Sequence, residues 1–238
     1  MNRIQSVRRG ALGMLLACGL TTAAADGPRR ILILGDSMMR GPAHSFELEF
    51  SKREGVETRP FTSLGSGLAR LDVVDWLGRI RQLVSTFNPD TAVMFIGAND
   101  LQPMRTNRGV IRPEDAGWEE EYARRVGEAM DLLGDGGGVR VYWLELPDMP
   151  NPEIQKSADI INPIFEREAA KREFATFYRT RPLLSRKVGT FSRYVHLPNG
   201  MPLKVRDTDG MHLNRNGSDL LARNLAATLW PMSSPAPE

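Results

Sequence analysis

Asp209 and His212 stand three residues apart in Asp209-Gly210-Met211-His212, near the C-terminus of a 238-residue chain. An Asp so placed can orient an imidazole through one ring nitrogen and leave the other to take a proton from a nucleophile, as a Ser-His-Asp relay requires. A hydroxyl for such a relay is offered by Gly35-Asp36-Ser37, directly after the apolar run Ile31-Leu32-Ile33-Leu34. A helix starting there would aim backbone N–H groups at the same spot. The dipeptide Asp36-Ser37 also reads simply as a helix N-cap. Gly97-Ala98-Asn99-Asp100 ends a second apolar run, Ala92 to Ile96. An Asn amide at that point can donate to an oxyanion; a plain turn of Gly, Asn and Asp accounts for it equally well. Of the two other histidines, His44 falls in a helical stretch and His196 in an alternating one.

These groups act together only if separate strands deliver them to one edge of a sheet. The sequence predicts strands over 30–35, 56–63, 91–97, 139–145 and 176–179. The first and third are continuously apolar rather than alternating, as in a parallel sheet buried on both faces. Leu71, Val74, Leu77, Ile80 and Val84 recur at helical spacing. So do Trp118, Tyr122, Val126, Met130 and Leu133, after an acidic Glu119-Glu120-Glu121 first turn that suits a helix N-terminus. Leu221, Leu225 and Leu229 form a last stripe, stopped by Pro231. Strand and helix alternate throughout, which predicts one α/β domain over residues 29–230. Its sheet should be doubly wound, mostly parallel and five-stranded, with helices on both faces as in flavodoxin-like folds. Residues 101–116 read as a long irregular connection at a strand's C-terminal end, where ligands usually bind. Residues 193–206 read as a small β-hairpin turning at Pro198-Asn199-Gly200.

Taken together, three motifs resemble the SGNH, or GDSL-type, hydrolase superfamily. Gly35-Asp36-Ser37 matches its first block, with Met38 where Leu is usual. Gly97-Ala98-Asn99-Asp100 matches its third block, and Asp209 with His212 its fifth. The second block falls in Thr62-Ser63-Leu64-Gly65-Ser66-Gly67-Leu68, where Ser66-Gly67 fits best and Gly65 is the alternative; Thr62 replaces the usual Asn. Asp75-Trp76 reads as a helix surface with Trp packed beneath it. The resemblance implies acyl transfer through a serine ester, with no metal or organic cofactor. Ser37 would be the nucleophile, His212 the base and Asp209 its orienting acid. The Ser37 N–H, the Gly67 N–H and the Asn99 side chain would hold the oxyanion. No Gly-x-Ser-x-Gly elbow surrounds Ser37. Arg40, Gln102 and Arg105 lie close enough in sequence to these blocks to contact substrate.

The first residues carry Arg3, Arg8 and Arg9 without an acid, then a short apolar stretch and Ala23-Ala24-Ala25. That is the layout of a secretory signal over residues 1–25, with cleavage near Ala25. Its removal leaves 213 residues with 28 basic against 29 acidic ones, so the formal charge passes from +2 to −1. Nothing electrostatic then favours nucleic acid as a partner. Leu15-Leu16-Ala17-Cys18 resembles a lipoprotein box, which would make Cys18 a lipidated first residue. Cys18 is the only cysteine, so no disulfide framework exists. No apolar run reaches the roughly 18 residues of a spanning helix. Export and the resemblance together lead to a periplasmic or secreted esterase acting on small acyl esters, acetyl-type, of envelope carbohydrate. The same relay would also serve an O-acyltransferase of an envelope glycan, which would need a membrane acyl-transfer partner. A glycan-binding module without catalysis is the third reading. Residues 231–238 read as a flexible tail.

Overall fold

Ile31, Leu32, Ile33 and Leu34 are all fully buried, as are Ala92, Val93, Met94, Phe95 and Ile96, so these two runs form the centre of the sheet. The computed structural model describes residues 28–231; the signal expected over 1–25, with Cys18, and the tail from 232 lie outside the described residues. In chain order the elements are β1 (Arg30–Gly35), α1 (Ser37–Phe50), β2 (Glu57–Thr62), α2 (Trp76–Phe87), β3 (Thr91–Phe95), β4 (Met104–Thr106) and β5 (Gly109–Ile111). They continue with α3 (Trp118–Gly134), β6 (Arg140–Leu144), α4 (Pro152–Ala170), β7 (Ala175–Tyr178), the short α5 (Arg181–Leu184), β8 (Tyr194–His196), β9 (Pro202–Lys204) and α6 (Arg215–Leu229).

The main sheet runs β2-β1-β3-β6-β7, with every pairing parallel. Its five strands are those expected, trimmed or shifted by one or two residues at their ends. β2 contains Pro60 and is only partly covered, which an edge strand tolerates. The chain moves outward from β1 to β2 and returns across β1 to β3. Right-handed crossovers therefore put α1 on one face and α2 on the other, and the continued run through β3, β6 and β7 keeps α3 and α4 on the face of α2. α1 packs on α6, while α2, α3 and α4 pack side by side. Among the described residues no helix is long and apolar enough to cross a membrane.

Two expectations need correction. Leu71 and Val74 do not belong to α2, which starts at Trp76; they pack on the core from the preceding turns. Asp75 starts the helix instead, its carboxylate accepting the Gly78 N–H at 2.8 Å. The connection 101–116 is not irregular throughout: β4 and β5 pair antiparallel across Asn107-Arg108. Buried Met104 anchors this hairpin, and the Thr106 hydroxyl donates to the Gly109 carbonyl at 3.0 Å. The hairpin expected over 193–206 is formed by β8 and β9.

Candidate active site

The sheet order reverses between β1 and β3, and the crevice outside their C-terminal ends is where open α/β sheets bind ligands. In register, Gly35 at the end of β1 lies between Thr62 of β2 and Phe95 of β3. Three segments therefore leave neighbouring strands side by side: 36–37 in the centre, 63–67 on one flank and 97–100 on the other. Asp36 caps α1, its Oδ1 accepting the Met38 N–H at 2.8 Å. Its Oδ2 accepts the Gly97 N–H at 3.0 Å. One carboxylate thus caps the helix and also ties the end of β1 to the end of β3. Complete burial pushes this carboxyl up to about 7, against the pull of its N–H donors. Ser37 occupies the first turn of α1, where backbone N–H groups lack an intrahelical acceptor, and it is partly open to solvent. Asp36 is thus the cap of α1, and Ser37 follows it as the first residue of the helix.

His212 reaches Ser37 from the loop between β9 and α6. Its Nε2 lies 2.9 Å from Ser37 Oγ, and its Nδ1 lies 2.6 Å from Asp209 Oδ2. Asp209 Oδ1 also accepts the backbone N–H of Met211 at 2.9 Å and of His212 at 3.0 Å. Burial alone would raise this carboxyl, but the His212 ring and these N–H donors outweigh it and hold it below the usual carboxylate range. An imidazole between an ionised carboxylate and a hydroxyl can remove that hydroxyl's proton and keep the charge it gains. His44 on α1 and His196 on β8 are exposed and lie outside this arrangement.

On the opposite flank, Asn99 Nδ2 donates to the Ser66 carbonyl at 3.2 Å, joining the loop after β3 to the loop after β2. Ser66 is held from below: its hydroxyl donates to Ser63 O at 2.6 Å and accepts the Trp76 indole N–H at 3.0 Å. Trp76 is buried under α2 as expected, and it also carries a hydrogen bond to this loop that periodicity does not reveal. Gly67 is buried, and a Cβ there would lie 2.6 Å from Asp100 Cγ. Gly65 is exposed at φ +65°, with open space where a Cβ would go. Gly97, at φ +118°, turns the chain out of β3 where a side chain would meet Phe165.

Of the residues expected to meet substrate, Arg40 is exposed on α1, one turn from Ser37. The Gln102 side-chain amide donates to the Asn99 carbonyl, and the Gln102 backbone carbonyl accepts the Trp118 indole N–H at 2.9 Å. Arg105 is exposed and faces Asp72 at 3.5 Å.

Sequence reading missed a buried group beneath this flank. Asp100 is fully buried and accepts from Leu68 N–H at 2.9 Å, Ala69 N–H at 3.0 Å and the Tyr122 hydroxyl at 2.7 Å. Desolvation still leaves its carboxyl raised. Arg125, also buried, donates to Leu68 O at 3.0 Å and Ala69 O at 2.9 Å, and further to Arg105 O and Glu121. The two peptides after Gly67 are thus held through their N–H groups by Asp100 and through their carbonyls by Arg125. Arg125 adjoins the apolar stripe of α3, and only that position hinted at its burial.

Fold and site together define an α/β protein with the architecture of SGNH/GDSL hydrolases, as the motif resemblance implied. The chain belongs to the family described as protein of unknown function DUF459, which it matches over residues 30–228 and which is associated with SGNH/GDSL hydrolases. No curated protein matches it in sequence. Among solved structures it is similar to a catalytic mutant of the acetylxylan esterase Axe2 from Geobacillus stearothermophilus, at TM-score 0.56 and 14% identity, covering 84% of this chain and 94% of that one. It is also similar to the C-terminal catalytic domain of peptidoglycan O-acetyltransferase A from Streptococcus pneumoniae, at TM-score 0.55 and 13% identity, covering 85% and 93%. A G-D-S-L family protein from Desulfitobacterium hafniense DCB-2 aligns at TM-score 0.55 and 12% identity, covering 84% and 99%. At these identities the likeness establishes the fold.

Proposed function

We propose that this chain is an exported serine esterase that removes small acyl groups, acetyl-type, from cell-envelope carbohydrate. The observation that carries the reading is the chain of contacts Asp209–His212–Ser37, at 2.6 Å and 2.9 Å. Ser37 Oγ attacks the ester carbonyl while its proton passes to His212 Nε2, and Asp209 stabilises the resulting imidazolium. The carbonyl oxygen becomes an oxyanion, held by the N–H groups of Ser37 and Gly67 and by the Asn99 amide. Collapse breaks the bond to the sugar oxygen, which leaves with the proton from His212. Water then adds to the acyl-serine with His212 again as base, releasing the carboxylic acid and restoring Ser37.

Export rests on the arginine-rich, then apolar, first 25 residues, and the carbohydrate on that location together with the similarity to an acetylxylan esterase. Similarity to a peptidoglycan O-acetyltransferase favours a second reading, in which a sugar hydroxyl replaces water in the second half-reaction. The test is acetate release from purified, O-acetylated envelope glycan, and p-nitrophenyl acetate turnover, by the parent and by Ser37→Ala. Loss of three or more orders of magnitude is expected in the variant. Undiminished turnover would overturn the assignment of the nucleophile. Acetylated sugar in excess of free acetate, when an acetyl donor and a glycan acceptor are supplied, would favour the transferase.

A further inference from the structure

Arg206 follows β9 in a polar segment, yet it is completely buried. Its guanidinium donates to the Met211 carbonyl at 3.1 Å and to the Asp148 carbonyl at 2.9 Å. Met211 immediately precedes His212, whereas Asp148 belongs to the segment that leaves β6. Arg206 therefore fastens the loop carrying His212 to the C-terminal edge of the sheet. The far anchor is itself fixed: the Asp148 carboxylate accepts the Ser185 hydroxyl at 2.6 Å and the Gly189 N–H at 3.1 Å. Arg181 Nε lies 3.3 Å from its other oxygen.

The loop does not need a buried cation to close. Asp207 N–H donates to His212 O at 2.9 Å, Gly210 N–H to Asp207 O at 3.0 Å, and Arg206 pairs with Leu213 as a β-bridge. A buried charge is costly unless fully paired. Arg206 Nε has no hydrogen-bond partner among the described residues, so this charge is kept on incomplete pairing. The charged groups around it are Asp148 and Asp209, with Arg193 sharing the Phe191 ring at 6.0 Å against 5.8 Å for Arg206, and Arg181 behind Asp148.

We propose that Arg206 is a positioning residue for the Asp209–His212 pair: by holding the Met211 carbonyl against the segment that leaves β6, it keeps the imidazole within reach of Ser37 Oγ. Burial lowers Arg206 to about 10, with Asp148 and Asp209 acting against that fall, so the group remains a cation at neutral pH.

The proposal rests on the serine-relay reading, and its test separates the two. The split between kcat and KM is measured with p-nitrophenyl acetate for the parent, Arg206→Met, Arg206→Lys and Ser37→Ala, each beside a urea melting curve. In folded Arg206→Met kcat falls about tenfold or more, with KM within about twofold. Arg206→Lys keeps the charge but cannot span both carbonyls, so its kcat falls about tenfold as well, with KM within about twofold. Parental kcat in folded Arg206→Met, or in Arg206→Lys, overturns the proposal. If Arg206→Met does not fold, Arg206→Lys decides alone through its split between kcat and KM. Turnover surviving in Ser37→Ala would instead sink the relay itself.

Discussion

Gly67→Ala is the most exacting test of how the loop after β2 is built. A methyl at this position would sit 2.6 Å from Asp100 Cγ, and closer still to Oδ1. Non-bonded carbons rest about 3.5–4.0 Å apart, so about 1 Å must be surrendered. Asp100 cannot easily retreat, because its carboxylate already accepts from Leu68 N–H, Ala69 N–H and the Tyr122 hydroxyl. The backbone of Gly67 therefore moves, and with it the N–H assigned to the oxyanion. A misplacement of about 1 Å costs about 10²-fold in rate. The overlap itself should lower stability by about 1–3 kcal/mol. Gly65→Ala is the matched control: it costs roughly 1–2 kcal/mol through its positive φ but meets no neighbour. Both variants should thus melt earlier in urea, while only Gly67→Ala should lose kcat on p-nitrophenyl acetate, with KM nearly constant. A folded Gly67→Ala with parental kcat would refute the reasoning, and loss of kcat in Gly65→Ala alone would transfer the role to that glycine.

Asn99→Ala should reduce turnover about 10²–10³-fold if its amide serves the oxyanion, and steady-state kinetics with an unchanged melting curve would isolate that effect. His212→Ala should match Ser37→Ala in lost turnover whereas His196→Ala, on an exposed strand, should leave it intact; equal losses from both histidines without unfolding would reopen the choice of base. Asp36 links stability to pH. Its carboxyl is raised to about 7 by burial, so folding favours the protonated form, and that contribution is complete below about pH 4 and lost as pH climbs through about 7. Compared with Asp36→Asn, which stays neutral, the parent's urea midpoint should therefore decline between roughly pH 4 and 7, and a constant difference would contradict the burial effect.

The three motifs and the five strands were legible because each depends on short-range pattern. Ile31 to Leu34 and Ala92 to Ile96 are unbroken apolar runs, and such runs persist where both faces of a strand are covered. The hairpin of β4 and β5 was not legible, since its strands are three residues each and its anchors, Met104 and the Trp118 bond to Gln102, act across the fold. The start of α2 was misjudged for a related reason. Leu71 and Val74 keep helical spacing, but the chain just before them is held by Asp100, 31 and 32 residues away from the amides it accepts.

From its residues alone this chain settles the alternation of strand and helix and the presence of a hydroxyl, an amide and an Asp–His pair at element ends. Periodicity and capping are local properties of a polymer and need no knowledge of distant neighbours. Tertiary structure decided which of these groups meet: His212 and Ser37 are 175 positions apart and bond at 2.9 Å. It also decided that Asp36, Asp100, Arg125 and Arg206 are buried. Placing an ionisable side chain inside a protein depends on partners supplied from elsewhere in the chain, and no local pattern specifies them.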